Sequence, residues 1–322
     1  MTMTEAGVRI EPATEVKVEV AAAILTRPDG SFLLASRPTG KPYAGYWEFP
    51  GGKIEADESP LQALTRELNE ELGITIHQAT PWLTRTFSYP HAAVRLHFYR
   101  VTDWLGELIP REQQQFSWQA AGNITVTPLL PANTPILRYL ALPPIYAITR
   151  AAETNTEASL SAIRQTLDNG VKLLQIRQKT MSHDQLQQYS AAAVQLAKRY
   201  QATVLVNENI MFAQLLGADG VHLTATQLLS LDTRPAVNWC GASCHNQQEL
   251  QRAEQLGVDF VTLSPVYPTL SHPDTPSLGW EKFAALIRNY PLPVYALGGL
   301  LPADLKTARE HGAHGIAMMR GI

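Results

Sequence analysis

Hydrophobic and polar residues alternate differently in the two halves of the chain, and this difference predicts two domains. The first half combines short β-like runs with one segment of helical periodicity at 60–72. A stretch with five prolines at 127–144 then interrupts both periodicities. The pattern indicates an α/β domain over 1–138 followed by a Pro-rich linker at 139–144. The β-like runs of this domain are 16–25, 31–36, 84–88 and 94–102.

Beyond the linker, β-like runs alternate regularly with segments of helical spacing. Eight strands joined by crossover helices are typical of a small parallel (β/α)8 barrel of the TIM type. We predict this barrel over 145–322, and because the chain ends at Ile322, shortly after the eighth run, we expect it to lack the last helix. The predicted strands are 145–149, 173–177, 203–207, 220–223, 240–244, 260–264, 294–297 and 315–319.

Composition and charge narrow the range of partners. The 322 residues are 45% hydrophobic and 17% charged, with a net charge of −3. This balance provides no basic field for direct nucleic-acid binding, so we expect a small anionic substrate held by local charges or a metal. No run approaches the roughly 18 apolar residues of a membrane span, and the first 15 residues lack the features of a secretion signal. We therefore expect a cytoplasmic protein without a membrane partner, and a homo-oligomer is compatible with the sequence.

The two cysteines, Cys240 and Cys244, fall on one predicted strand. At ~3.3 Å per residue their Cα atoms lie about 13 Å apart, whereas a disulfide needs less than about 7 Å. They are therefore predicted to be free thiols, as is usual in a reducing cytosol.

The strongest motif begins at Gly52 and continues, after five residues, with Glu58. Seven residues later the run Arg-Glu-Leu-Asn-Glu-Glu-Leu-Gly-Ile occupies 66–74. With each residue type used about once in 15 positions, a chance match in this chain is on the order of 10^-6. The helix within the motif has its own start and stop signals. These are Ser59 as the N-cap, Pro60 at the first position, Gln62 for a capping box and Gly73 for a left-handed exit.

The predicted helix has two functional faces. Its leucines at 61, 64, 68 and 72 share one face, which we expect to be buried. Glu67, Glu70 and Glu71 form a neighbouring acidic face at i, i+3 and i+4, where like charges repel one another. A hard divalent cation with oxygen ligands would convert this repulsion into a binding site.

These residues resemble the signature of Nudix hydrolases, and the segment Trp-Glu-Phe-Pro-Gly-Gly-Lys-Ile-Glu at 47–55 resembles the MutT-type branch, the 8-oxo-dGTP diphosphatases. The resemblance covers about 16–137 and implies an α/β/α sandwich with a mixed sheet. It also implies Mg2+, with Mn2+ as an alternative. The implied metal ligands are Glu67, Glu70, Glu71, Glu112 and the backbone carbonyl of Gly51.

The same resemblance implies how the site works. Water attacks a phosphorus of a nucleoside triphosphate, which releases the monophosphate and pyrophosphate and removes an oxidised nucleotide before DNA replication, a form of DNA repair. Arg66 would fix the glutamates, and either Glu67 or Glu112 would be the general base. Nucleotide contacts are implied for Arg37, Phe49 and Asn133, the last reading the oxidised purine. The chain departs from the branch at His91 and Ala92, where an acidic–basic pair is usual.

The second half carries candidate ligand residues at the predicted carboxyl ends of its strands, the catalytic rim of such barrels. Arg177 and Lys179 could clamp a phosphate, and Gly298-Gly299 could offer backbone amides to it. Together with motifs at 220–222, 241–243 and 264–269, they resemble thiamine phosphate synthase and its TenI-like relatives over about 144–321. The predicted ligand site of the barrel comprises Gln175, Arg177, Lys179, Asn207, His245, Gly298 and Gly299.

Several positions depart from the synthase pattern. Glu208 and Gln227 stand where the synthases have metal-binding aspartates, and His272 and Arg320 replace a lysine and a phosphate-binding serine. We therefore predict a barrel that binds a phosphate-bearing ligand without synthase activity.

Three functional hypotheses follow from the two resemblances. The leading one is a MutT-type hydrolase of small nucleotides fused to this non-synthase barrel. The alternative is a thiamine-pathway protein, whose barrel is a thiazole-phosphate tautomerase or synthase and whose Nudix half hydrolyses a thiamine-related pyrophosphate. His245 is compatible with the proton transfer that a tautomerase needs. In the third hypothesis the barrel is an interaction or ligand-sensing module.

Overall fold

The computed structural model describes residues 16–90, 92–149, 156–178, 181–269 and 276–319. Contacts within the chain divide it into two compact units. The first lies within 1–79, 84–118 and 126–132, and the second within 80–83, 119–125 and 133–322. The domain limits set from the sequence, at 138 and 145, stay a prediction.

The N-terminal unit is built on two small sheets and one long helix, α1 (Pro60–Leu72). Its strands are β1 (Val16–Leu25), β2 (Phe32–Ser36), β3 (Trp47–Glu48), β4 (Gly51–Lys53), β5 (Thr75–Tyr89), β6 (Ala92–Leu105) and β7 (Phe116–Gln119). One sheet has the order β4-β1-β6-β5 and the other β3-β2-β7. Strand β1 pairs antiparallel with β4 and parallel with β6, so the predicted mixed sheet is confirmed.

The strands of this unit differ from the sequence prediction in length. Strands β5 and β6 extend well beyond the predicted runs 84–88 and 94–102. The first residues of β5 are mostly exposed or half-buried, so they show no alternation of hydrophobicity that would reveal a strand. Strands β3, β4 and β7 have two to four residues, which is too short for a periodicity to be detected.

The core of the N-terminal unit lies between β1 and α1. Ala21 and Ala23 of β1 pack with Leu64 and Leu68 of the helix, and all four are fully buried. Small residues on the strand let the helix approach the sheet closely. This close approach brings the polar face of α1 beside β4, which is hydrogen-bonded to the edge of β1.

The second unit contains a closed barrel of eight parallel strands, as predicted. The barrel strands are β8 (Ile145–Ile148), β9 (Leu173–Ile176), β10 (Thr203–Asn207), β11 (Gly220–Leu223), β12 (Trp239–Cys244), β13 (Phe260–Leu263), β14 (Val294–Leu297) and β15 (Gly315–Met318). Each lies within a residue or so of its predicted run, and pairing of Ile316 with Ile145 closes the barrel.

Helices connect most of the strands. They are α2 (Thr134–Leu140), α3 (Thr156–Asp168), α4 (His183–Arg199), α5 (Ile210–Leu215), α6 (Ala225–Ser230), α7 (Gln247–Leu256), α8 (Gly279–Ile287) and α9 (Leu305–Glu310). Helix α2 was not predicted, and it takes up the first two residues of the predicted linker. Pro135 lies in its first turn, where a proline is tolerated. The segment after β15 that would show an eighth barrel helix lies outside the described residues.

Cys240 and Cys244 both lie on β12 and are buried and unbridged, which confirms the prediction of free thiols. Burial raises the pKa of Cys240 to about 12. Within the described ranges, no helix is both long enough and apolar enough to cross a membrane.

Candidate active site

Helix α1 starts and stops as its sequence predicts. The Ser59 Oγ accepts a hydrogen bond from the Gln62 backbone N–H (3.3 Å), and the Gln62 side chain accepts from the Ser59 N–H (2.8 Å). Gly73 ends the helix with φ at 70°, in the left-handed region that favours glycine. The prediction for its apolar face was wrong at one position: Leu61 is exposed, because it lies in the first turn.

Two glycines of β4 fit the helix against the sheet. A Cβ on Gly52 would lie 2.1 Å from the carboxyl carbon of Glu67, so only glycine lets this carboxylate reach the strand. Gly51 has φ at 140°, and a Cβ there would lie 2.1 Å from the Ala21 carbonyl oxygen. The Gly-Gly pair therefore brings the backbone of β4 to within contact distance of the acidic face of α1.

Arg66 holds the carboxylates of this face in place. Its Nε and Nη2 donate to the two oxygens of Glu58 (2.8 and 2.9 Å), a bidentate pair. Its Nη1 donates to Glu67 (2.9 Å) and Glu70 (3.2 Å). The hydrogen bond from Arg66 lowers the pKa of Glu58 to about 2. One guanidinium thus orients three glutamates of the motif.

A second group of charges lies at the other end of the acidic face. Glu71 and Glu112 share the ammonium of Lys41, whose Nζ lies 2.6 Å from Glu112 Oε2 and 3.9 Å from Glu71 Oε1. Buried Gln114 joins the two acidic residues, because its side chain accepts from the Glu112 N–H (2.8 Å) and donates to the Glu71 carbonyl (2.9 Å). These residues and Gly51 line an open cleft.

Burial affects the protonation of the carboxylates in this cleft. It raises the pKa of Glu71 to about 8; Lys41 opposes this shift, and the charges of Glu112, Glu67 and Glu48 add to it. Burial also raises the pKa of Glu48, against the opposing effect of Arg37. Burial is therefore the main reason that these two carboxyl groups resist ionisation.

The donor set suits a hard divalent cation. No three His, Cys, Asp or Glu side chains in the described ranges converge closely enough to hold a metal ion as they stand. Glu67 and Glu70 are instead held by Arg66, and Glu112 is held by Lys41. Carboxylate oxygens are the ligands that Mg2+ prefers, and an ammonium already lies between two of them. The chemistry of the predicted ligands therefore fits Mg2+, whereas their positions in this structure are set by Arg66 and Lys41.

The predicted nucleotide contacts lie in different environments. Arg37 donates through Nη1 to both oxygens of Glu48 (2.7 and 2.6 Å) and through Nε to the Pro42 carbonyl (2.8 Å). The Phe49 ring is 3% exposed and packs between Phe32 and Phe98, so most of it belongs to the core.

Asn133 precedes α2 and is 2% exposed. Its Nδ2 has no hydrogen-bond partner among the described residues. A buried amide without a partner is costly to keep, and whether this side chain contacts a nucleotide stays a prediction. His91, where the sequence departs from the MutT-type pattern, lies outside the described residues.

Sequence reasoning missed three residues of this site: Lys41, Glu48 and Gln114. Lys41 and Gln114 lie in loops without periodicity, so no local pattern marks them. Glu48 lies in the segment 47–55, and its charge between the aromatic residues Trp47 and Phe49 could have marked it as a functional residue.

The barrel interior contains a chain of neutral polar groups. Gln175 Nε2 donates to the Tyr146 hydroxyl (2.9 Å), which lies 3.1 Å from His222 Nδ1, and His222 Nε2 lies 3.0 Å from Ser243 Oγ. Because the amide nitrogen is a donor, the Tyr146 proton points to Nδ1 and the imidazole carries its proton on Nε2. Burial lowers the pKa of His222 to about 3, and Arg177 adds to this effect. Gly241 makes room, since a Cβ there would lie 2.7 Å from His222 Nδ1.

One residue predicted at the rim of the barrel, Gln175, lies elsewhere in the structure. Gln175 was expected at the rim with Arg177, but it lies within β9, two residues before Arg177, and is buried inside the barrel. Arg177 follows β9, and its backbone N–H donates to Thr149 Oγ1 (2.8 Å). Lys179 lies outside the described residues.

The rim residues that replace the synthase aspartates are engaged in structural bonds. Gln227 donates to the Glu208 carbonyl (2.7 Å) and accepts from the Thr224 N–H (3.1 Å), which caps α6. Asn207 donates to the Glu208 carboxylate (3.2 Å). The amide of Gln227 is thus committed to the fold.

The remaining predicted rim residues lie after β12 and β14. His245 is exposed, and its Nδ1 lies 2.9 Å from the Ser264 carbonyl oxygen, so Nδ1 is the donor and Nε2 can accept a proton. Gly298 and Gly299 have φ at 116° and 68°. A Cβ on Gly298 would lie 2.8 Å from Pro265, so close packing accounts for this glycine, and a phosphate at the pair stays a prediction.

Comparisons with known proteins match the two parts of the chain to two different families. The NUDIX domain family model matches residues 16–140, and the thiamine monophosphate synthase family model matches residues 145–322. A CTP pyrophosphohydrolase of Escherichia coli K12 is 42% identical over 126 residues, which are 39% of this chain and 93% of the relative. An 8-oxo-dGTP diphosphatase of Haemophilus influenzae is 37% identical over 123 residues, 38% of this chain and 90% of the relative. A thiamine-phosphate synthase of Methylobacillus flagellatus is 33% identical over 189 residues, 56% of this chain and 90% of the relative.

Proposed function

We propose that the N-terminal half is a Mg2+-dependent nucleoside triphosphate pyrophosphohydrolase, because residues 16–140 place the chain in the Nudix family. Through residues 145–322 the chain also belongs to the thiamine monophosphate synthase family. The contact between the Glu67 carboxylate and Gly52 carries this proposal. It keeps a helix carboxylate at the strand whose Gly51 carbonyl is an expected metal ligand.

The residues of the cleft have distinct roles in this proposal. Glu67, Glu70, Glu71, Glu112 and the Gly51 carbonyl would hold the metal. When bound, Mg2+ offsets the phosphate charge and activates water. Arg66 orients Glu67 and Glu70, and Glu67 or Glu112 takes the proton of the attacking water. The products are a nucleoside monophosphate and pyrophosphate.

We propose an oxidised purine nucleotide, 8-oxo-dGTP, as the substrate, so that the enzyme would keep damaged precursors out of DNA. The unpartnered amide of Asn133 supports this, because an amide can both donate to and accept from one base edge. Arg37 is anchored by Glu48 through Nη1 and by Pro42 through Nε, which leaves Nη2 for the nucleotide. The E. coli relative named for CTP makes a pyrimidine nucleotide the competing candidate.

A substrate panel on the full chain tests this proposal. We expect the kcat/KM with Mg2+ to be highest for 8-oxo-dGTP, compared with dGTP, CTP and thiamine diphosphate. Glu70→Gln should lower it by about 100-fold or more, since changes even to groups behind a metal ligand cost 10- to 100-fold. Glu107→Gln, at an exposed glutamate of the same unit, is the matched control. Equal turnover of dGTP would refute the oxidised-base assignment, and preference for CTP would replace it. Full activity in Glu70→Gln would refute the catalytic centre.

For the barrel we propose binding of a phosphate-bearing ligand without synthase activity. The support is the amide of Gln227, which is tied to Glu208 and Thr224 where a metal-binding carboxylate is needed. Thiazole-phosphate tautomerase activity is the second candidate, because the Nδ1 of His245 contacts the Ser264 carbonyl and this leaves Nε2 to act as the acceptor.

Both barrel activities can be assayed on the full chain. We expect no formation of thiamine phosphate from its pyrimidine and thiazole precursors. If the barrel is a tautomerase, His245→Gln should abolish the isomerisation of the thiazole phosphate. Formation of thiamine phosphate would show that the carboxylate lost at Gln227 is dispensable.

A further inference from the structure

Lys41 lies in the acidic cleft although it belongs to no motif. Its Nζ forms an ion pair with Glu112 at 2.6 Å and lies 3.9 Å from Glu71. The side chain is 45% exposed, so the ammonium is also reached by water. A cation in this position lies between two of the expected metal ligands.

The other cation of the motif is fully occupied. Arg66 makes the bidentate pair with Glu58 and also donates to Glu67, Glu70 and the Lys53 carbonyl. In the described part of the chain, the ion pairs of Glu71 and Glu112 are made with Lys41. The Glu71 side chain is 15% exposed and that of Glu112 is 39% exposed. Because a largely buried carboxylate without a counter-charge is costly, Glu71 in particular depends on this ammonium when no divalent cation is bound.

The loop that carries Lys41 has a fixed backbone. Arg37 Nε donates to the Pro42 carbonyl (2.8 Å), and the Gly45 N–H donates to the Arg37 carbonyl (2.9 Å). Arg37 is itself held by Glu48. A lysine ammonium on a flexible four-carbon stem can therefore leave the carboxylates by side-chain rotation alone, without movement of the loop.

We propose that Lys41 is the resident counter-cation of the acidic cleft: it competes with the divalent cation for Glu71 and Glu112 and, once displaced, binds the phosphates of the substrate. This role rests on the proposed hydrolase function. A divalent cation and an ammonium cannot both occupy the space between the two carboxylates. The displaced ammonium remains at the mouth of the cleft, where a triphosphate supplies the next concentration of negative charge.

Binding of Mn2+ alone tests the competition without any turnover. Titration calorimetry on the full chain should give an affinity about two- to fivefold higher in Lys41→Gln, the range expected for loss of a half-exposed ion pair. Lys41→Arg keeps the charge and should bind Mn2+ like the wild type. Lys306→Gln removes the same charge from the exposed pair with Glu310 and is the control for net charge.

Steady-state kinetics test the phosphate contact. Lys41→Gln should raise KM for the nucleotide about tenfold, since a hydrogen bond between charged groups is lost, and Lys41→Arg should restore most of it. Mn2+ affinity in Lys41→Gln equal to or below that of the wild type would overturn the competition, and an unchanged KM would overturn the phosphate contact. If the wild type neither binds Mn2+ nor hydrolyses a nucleotide, the proposed hydrolase function fails as well.

Discussion

The two units keep polar groups in opposite ways. In the acidic cleft, Glu67, Glu71 and Glu112 lie beside Arg66 and Lys41 and remain partly accessible to water. In the barrel, Tyr146 and Gln175 belong to a chain of neutral donors and acceptors in the protein interior. Charged side chains lie in the cleft, where counter-ions can exchange with solvent. In the closed interior of the barrel, each hydrogen-bond donor is paired with an acceptor.

This difference determines what each region should be sensitive to. The carboxylates of the cleft are held by ion pairs that can exchange, so small displacements, metal ions and pH should alter its activity more than its stability. The hydrogen-bonded polar groups inside the barrel are closed off from water, so loss of one partner leaves its neighbour without a hydrogen bond. Mutations there should alter stability first.

The largest contrast is expected within the Gly51-Gly52 pair. In Gly52→Ala the new methyl group meets the flexible end of Glu67, so the carboxylate must move, and we expect kcat to fall about 10- to 100-fold. In Gly51→Ala the methyl group meets the Ala21 backbone at an unfavourable φ, so we expect the free energy of unfolding to fall by about 2 kcal/mol or more. Kinetics and urea unfolding of both variants separate the two effects. Wild-type activity in Gly52→Ala would contradict the role of the Glu67 contact.

A smaller effect on stability is expected from the middle of the barrel chain. Tyr146→Phe removes the acceptor of Gln175 and the donor to His222, so it should lower the free energy of unfolding by about 1–3 kcal/mol for each unsatisfied group. Tyr290→Phe is the matched control, because it removes one hydrogen bond to the Leu250 carbonyl. Urea unfolding is the measurement. An equal loss of unfolding free energy in the two variants would mean that the connected hydrogen bonds of the barrel stabilise the fold no more than a single bond does.

A contrast of another kind is expected in the dependence of stability on pH without metal. Glu71 titrates at about 8 in the folded protein and near 4.5 when unfolded, so its contribution is greatest below pH 4.5 and is lost as the pH rises through 8. Glu71→Gln should therefore gain stability relative to the wild type between pH 5 and 8. The measurement is urea unfolding in EDTA across this range. A constant difference between the two proteins would contradict the raised pKa.

The barrel should show the opposite sign. His222 titrates at about 3 in the folded protein and near 6.5 when unfolded, so its neutral form contributes stability above pH 6.5 that is lost as the pH falls towards 3. His222→Gln should flatten the decline between pH 6.5 and 3 and leave the dependence between pH 6.5 and 8, which belongs to Glu71, unchanged. A slope of the same sign for both residues would remove the distinction between the two regions.

The sequence predicted those parts of the molecule that depend on local or periodic signals. The capping of α1 by Ser59 and Gln62 is encoded within four residues, and the eight barrel strands repeat one buried pattern. The fit of Gly52 to Glu67 was visible as a motif, although its physical reason required the structure.

The parts that were missed depend on contacts between distant segments. Lys41 and Glu112 are 71 residues apart and meet because two loops converge beside α1. Gln175 was expected at the rim because the pattern located the end of the strand but not how deep inside the barrel each side chain lies. Neither kind of information is present in a short window of sequence.

The products formed by the full chain from 8-oxo-dGTP and Mg2+ test the central claim most directly. Phosphorus NMR of the wild type should show the monophosphate and pyrophosphate as the products, and Glu70→Gln should form them about 100-fold more slowly. Release of inorganic phosphate with the nucleoside diphosphate, or undiminished turnover in Glu70→Gln, would contradict a pyrophosphohydrolase centred on the acidic face of α1.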